Sequence, residues 1–218
     1  MTIRDTPNRS GGTPRLGTTL ELGFNDLLAN GQAVGRSGGV VVFCFGPLPH
    51  EKAVVRVTAI KPKYVVADLV RITRPSPFRA VPFCPVFGTC GGCQVQHLAY
   101  PAQLAWKTEV VRNALARIGG FADVVVHETI GTINPRNYRN KMSLVVSPTK
   151  NGTPSQAAQI GFYKQRSHEV VPIDACPIVM PQLSDYIARL NAARASQATA
   201  PAFQAAQHIV ARSSRATK

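Results

Sequence analysis

Residues 82–107, PFCPVFGTCGGCQVQHLAYPAQLAWK, divide this chain: short β-prone runs precede them, and a helical repeat opens inside them at Pro101. Five residues separate Cys84 from Cys90 and two separate Cys90 from Cys93, so one loop can aim three thiols inward, while a fourth, Cys176, stands far downstream. Gly88, Gly91 and Gly92 let the loop turn sharply and bring backbone N–H groups close to sulfur, which favours thiolates. Such a set points to a metal centre.

Structural zinc usually sits between two short C-x2-C knuckles, whereas three ligands plus one distant ligand is a common iron-sulfur arrangement. Proline follows both Cys84 and Cys176, as it follows one cysteine of the bacterial ferredoxin run. A disulfide framework is disfavoured because the opening MTIRDTPNRSGG is polar and charged, without the apolar core of a secretory signal. Filling of a hydrophobic core suits Cys44, which lies in the apolar run GVVVFCF.

Upstream of the cysteines, TLELGF, QAVG, GVVVFCF, KAVVRVTAI and YVVADLVRI read as five short strands separated by turn material, the pattern of a small OB-style barrel. In KAVVRVTAI, Val55, Val57 and Ala59 fall on one face and Val54, Arg56 and Thr58 on the other, which predicts a half-exposed strand. Residues 1–16, rich in Gly, Pro, Ser, Thr and charge, are expected to be a mobile tail, the barrel to span 17–75, and a second domain to run from 80 to 218. The proline pair of Arg74-Pro75-Ser76-Pro77 marks the junction.

Downstream, Leu104, Val111, Leu115 and Ile118 recur at helical spacing, Gly119-Gly120 ends the helix, and the apolar stripe is expected to brace the cysteine loop against a sheet. VVVHETI, KMSLVVSP and IGFYKQRSHEVVPI are candidate strands, with TKNGTPSQAAQ a loop between the last two. A helix over 182–198 and a strand over 207–212 follow. The fold class is therefore mainly β, with an α+β second part.

With 25 basic and 11 acidic residues the net charge is +14, spread over both halves, a field that attracts polyanions and above all nucleic acid. Arg36, Arg56, Lys61 and Lys63 on the barrel are candidate phosphate contacts. NPRNYRNK gathers Arg136, Arg139 and Lys141 around Tyr138, joining charge for phosphate to a ring for a base. No apolar stretch approaches the roughly 20 residues of a membrane-spanning helix, so a cytoplasmic, soluble location is expected; a monomer is expected as well.

The run Cys84-x5-Cys90-Gly-Gly-Cys93-Gln-Val-Gln96-His97-Leu-Ala-Tyr100, then Gln103-Leu104, Lys107 and the distant Asp-Ala-Cys176-Pro-Ile, resembles the N-terminal half of the iron-sulfur RNA (uracil-5-)methyltransferases of the bacterial 23S ribosomal RNA type. Tyr138-Arg139-Asn140-Lys141 and Gly161-Phe162 belong to the likeness, and residues 18–74, with GQAVGR, resemble the TRAM barrel of those enzymes. The resemblance implies that Cys84, Cys90, Cys93 and Cys176 ligate one [4Fe-4S] cluster in a central domain that holds 23S rRNA together with the TRAM barrel. It further implies S-adenosylmethionine bound by a C-terminal Rossmann-like domain, where a cysteine attacks uracil C6, the methyl passes to C5 and a carboxylate region removes the C5 proton. No motif among the 218 residues matches that domain, so the chain by itself is expected to lack catalytic residues and to be inactive. A stand-alone RNA-binding iron-sulfur module and an iron-sulfur redox protein are the alternative readings.

Overall fold

The computed structural model describes residues 14–147, 158–194 and 200–214. Most of the expected tail and of the loop over 149–159 lies outside them. The chain packs as two units: one takes everything described up to Val81 together with Gln94–Gly131, the other Pro82–Cys93 together with the described residues from Thr132 onward.

Five strands, β1 (Thr19–Leu27), β2 (Gln32–Ser37), β3 (Val40–Phe45), β4 (Glu51–Ile60) and β5 (Tyr64–Arg74), close a barrel in the order β1-β2-β3-β5-β4. All neighbours are antiparallel except β3 and β5, whose parallel pairing from Val41↔Tyr64 to Phe45↔Asp68 seals the cylinder. Period-two alternation sends Leu20, Leu22, Phe24, Val42, Cys44, Val55, Val57, Val65 and Ala67 inward. Cys44 is therefore a core thiol, as its apolar run predicts. Between Ser37 and Val40 the two-residue turn Gly38-Gly39 has φ of 55° and 80°, the left-handed pair a type I′ hairpin demands. The half-exposed reading of β4 needs one correction: Val54 is buried although it faces outward, between its cross-strand partners Glu21 and Arg71.

A buried ionic latch holds the chain as it leaves the barrel. The carboxylate of Glu51, 1% exposed, accepts from Arg79 Nε (2.6 Å) and a guanidinium terminal nitrogen (2.7 Å), from the Leu48 N–H (2.8 Å) and from the Ser76 N–H (3.0 Å). Burial alone would raise its pKa, but these donors and the Arg79 charge bring it below the ordinary value. His97, 2% exposed, lies within the field of the same pair; burial, helped by the Arg79 cation, lowers its pKa to about 4.

The helix α1 (Tyr100–Arg117) starts with Pro101 in its first turn and stops before Gly120, whose φ is 75°. Its packing corrects the sequence reading. Val111 and Ile118 are exposed, and the helix lies on the barrel instead: Ala102 and Trp106 pack against the barrel core, and the Trp106 indole N–H donates to the Leu27 carbonyl at 3.0 Å. The expected strand VVVHETI joins no sheet. Val125 and Ile130 point to solvent, and the segment runs along α1 through Thr108 Oγ1, which accepts from the Thr129 N–H at 2.9 Å.

The second unit is built on an antiparallel sheet of β6 (Lys141–Ser147), β7 (Gln159–Tyr163), β8 (Val170–Pro172) and β9 (His208–Arg212), in the order β8-β7-β6-β9. Helix α2 (Pro181–Arg194) buries Leu183, Ile187 and Leu190 against Met142, Leu144, Ile160, Ile173 and Val179, and a short α3 (Ala200–Ala205) precedes β9. IGFYKQRSHEVVPI is not one strand but a hairpin, because Arg166 turns with φ of 57° and the Lys164 N–H reaches the Glu169 carbonyl at 2.8 Å.

Candidate metal centre and nucleic-acid surface

The cysteine loop is a series of tight turns. The Phe87 N–H donates to the Cys84 carbonyl (3.1 Å) and the Cys90 N–H to the Val86 carbonyl (2.9 Å), after which the Gly91 N–H docks on the Tyr163 carbonyl of β7 (2.8 Å). A Cβ at Gly91 would sit 2.9 Å from that carbonyl oxygen, so glycine is what lets loop and hairpin meet. Cys176 follows β8, just before α2. Its N–H donates to Ser184 Oγ of α2 (3.3 Å), and it packs against the core of the second unit, as Val86 of the loop also does.

Cys84, Cys90, Cys93 and Cys176 are all half-buried and make no disulfide. Burial pushes the Cys90 thiol above its ordinary pKa, and the charges of Cys84 and Cys176 push the same way; the Gly92 N–H, 3.4 Å from Cys90 Sγ, and the Arg139 cation oppose them. All four cysteines belong to the second unit. Among the described residues no three His, Cys, Asp or Glu side chains are arranged to hold one metal ion. The donor set itself, soft thiols with a backbone N–H and a cation to offset their charge, suits an iron-sulfur core.

The segment NPRNYRNK separates its residues into different roles. The Arg136 guanidinium stacks over the Phe83 ring, 4.5 Å from its centroid, and Arg139 is half-buried, its N–H on the Ile178 carbonyl (2.8 Å). Tyr138, 61% exposed, instead borders a hollow of about 320 Å³ with Asn137, Asn140, Met180, Ser213 and Ser214, and Lys141 opens β6 at the surface. Asn137 takes φ of 57° there, a conformation asparagine tolerates better than most residues. On the barrel, Arg36, Val41 and Tyr64 lie side by side across β2, β3 and β5, and Lys61 and Lys63 flank Tyr64 in the preceding turn. Tyr64 meets Phe43 edge to face at 5.2 Å. Arg56 stands apart from this group, opposite Asp68. The aromatic pair was hidden in the sequence because Phe43 sits in an apolar run that reads as core.

The barrel is a TRAM domain: residues 15–70 match that family's model. Beyond it, the chain is similar to an uncharacterized RNA methyltransferase of Bacillus cereus, 36% identical over 159 residues, covering 73% of this chain and 34% of the relative. A second, from Nostoc sp., is 37% identical over 175 residues, or 80% of this chain and 37% of the relative. The chain thus spans about a third of the length of these curated relatives. Among solved structures, a Pyrococcus abyssi tRNA (uracil-54, C5)-methyltransferase in complex with S-adenosyl-L-homocysteine is 26% identical, with a TM-score of 0.49 over 79% of this chain and 36% of the other. No helix among the described residues is long and apolar enough to cross a membrane.

Proposed function

We propose that these 218 residues are the RNA-recognition and [4Fe-4S]-bearing portion of an S-adenosylmethionine-dependent RNA (uracil-5-)methyltransferase that forms 5-methyluridine in 23S rRNA. The observation that carries the reading is the Cys84-x5-Cys90-x2-Cys93 loop, docked through Gly91 on β7 in the unit that also contains Cys176, within a chain that also holds a TRAM domain. The RNA methyltransferases it resembles over most of its described length support the reading.

On this proposal Cys84, Cys90, Cys93 and Cys176 hold the cluster, which would tie loop, sheet and α2 together and needs no electron for methyl transfer. A four-iron core takes each thiolate on a separate iron and so needs a wider frame than a single ion. Arg139 offsets the negative charge of that centre, while Tyr138, Lys141, Arg36, Lys61 and Lys63 face the RNA. Methyl transfer itself is assigned to sequence beyond the recognition portion, and the 218 residues alone are expected to incorporate no methyl group from S-adenosylmethionine into RNA.

Anaerobic purification followed by iron, sulfide and visible-absorption measurement tests the centre. About four irons per chain are expected; a colourless protein with one zinc per chain would sink it. Cys90→Ser should lose most of the iron and much of the second unit's folding, while Cys44→Ser should keep the iron, because Cys44 belongs to the barrel core. Equal losses in both variants would contradict the division of the five cysteines.

A further inference from the structure

The hairpin between β7 and β8 does more than reverse the chain. Its turn is fixed from within: the Ser167 N–H donates to the Lys164 carbonyl (3.1 Å), the Glu169 N–H to Ser167 Oγ (3.0 Å), and the Lys164 N–H to the Glu169 carbonyl. It is also fixed from outside, by the Gly91 N–H on the Tyr163 carbonyl and by the Gln165 N–H on the Thr89 carbonyl (3.3 Å). So braced, the turn holds Tyr163, Lys164, Arg166 and His168 exposed around a hollow of about 530 Å³ whose floor includes Gly91 and Gly92. That volume falls in the roughly 300–1,000 Å³ range of small-ligand sites.

The lining combines two chemistries. The Tyr163 and His168 rings meet edge to face at 5.4 Å, with planes 85° apart, so each leaves a ring face for a flat partner. Lys164 and Arg166 bring positive charge to the same rim, and the one acid of the turn, Glu169, engages Lys164 only at 3.4 Å between exposed groups. An exposed pair of that kind contributes little and yields readily to a phosphate. The two glycines leave their part of the floor free of side chains.

We infer that this hollow seats one unstacked nucleotide of a single-stranded RNA segment, its base stacked on one ring of the Tyr163–His168 pair and edge-on to the other, and its phosphate on Lys164 and Arg166. The inference rests on the RNA-binding reading above and adds a subsite to it. Single-stranded bases can be splayed onto aromatic rings, whereas a duplex keeps them stacked inside. None of the four residues belongs to the basic clusters of the barrel or of NPRNYRNK.

The test uses the full chain and a fluorescently labelled single-stranded RNA of mixed sequence, with the same strand annealed to its complement as a control. Tyr163→Ala and His168→Ala should each weaken single-strand binding about tenfold without changing the salt slope, and Tyr163→Phe should restore it. Lys164→Gln with Arg166→Gln should lower the slope of log affinity against log salt by about 1. Ultraviolet crosslinking of 4-thiouridine RNA to the wild-type chain should label the peptide that carries residues 163–168, a readout independent of any variant's folding. Wild-type binding that survives both alanine variants unchanged, with no crosslink in this peptide, overturns the subsite and leaves the RNA reading standing. Absence of any RNA binding by the wild type at low salt overturns the RNA reading itself.

Discussion

Gly161 sits at the centre of β7, where a Cβ would lie 1.9 Å from the Val171 carbonyl oxygen of the next strand. Backbone cannot yield as a flexible side chain can, so Gly161→Ala should destabilise the second unit by at least about 3 kcal/mol, measured by thermal unfolding. His97 makes a prediction in pH. Its pKa is about 4 in the folded state against an ordinary 6.5, so between those values the unfolded chain binds the extra proton and stability falls as pH drops. The loss approaches about 3 kcal/mol near pH 4, and above pH 6.5 the group contributes no slope. Glu51, held below its ordinary value, adds a further loss at still lower pH. Denaturant midpoints at pH 7 and 4.5 should therefore differ more in the wild type than in His97→Gln. Neither residue announced its role in the sequence. Cysteine spacing is a local pattern, but a buried Glu51-Arg79 pair joins residues that only the closed barrel brings together.

Among elements, the strands of the barrel were legible because β-branched alternation and glycine turns are local signals, and all five appear where the sequence places them. Helix α1 was legible as a helix and misread as a brace. Its hydrophobic stripe suggested Leu104, Val111, Leu115 and Ile118 as the buried side; the two leucines are half-buried, but Val111 and Ile118 are exposed, and the side that packs on the barrel core carries Ala102 and Trp106. The run 124–130 failed for a similar reason: valines favour a ladder only when a partner strand is present. Trp106 is the only tryptophan of the chain, so its fluorescence reports the first unit alone. Trp106→Phe keeps an aromatic ring but loses part of the packing and the bond to the Leu27 carbonyl, and should cost that unit at least about 1 kcal/mol in urea unfolding followed by circular dichroism, since the variant has no tryptophan.

For the molecule as a whole, a charge of +14 sets the scale of any RNA encounter, and salt should weaken binding steeply. Replacing Arg36, Lys61 and Lys63 together with glutamine should lower the slope of log affinity against log salt by about 2, whereas replacing Arg56, which already faces Asp68, should change it little. Filter binding across a salt series distinguishes the two. The two units also interleave along the chain, since Pro82–Cys93 belongs to the second while the residues on either side of it belong to the first. This order has a consequence in time. During synthesis the first unit has all its sequence once Gly131 has emerged, but Cys84, Cys90 and Cys93 are by then already outside the ribosome, before β7 at 159–163, on which their loop docks, has been made. For the length of that delay the three thiols stand without the sheet on which their loop docks, so the nascent chain, more than the folded unit in which they are half-buried, is the form that exposes them to oxidation.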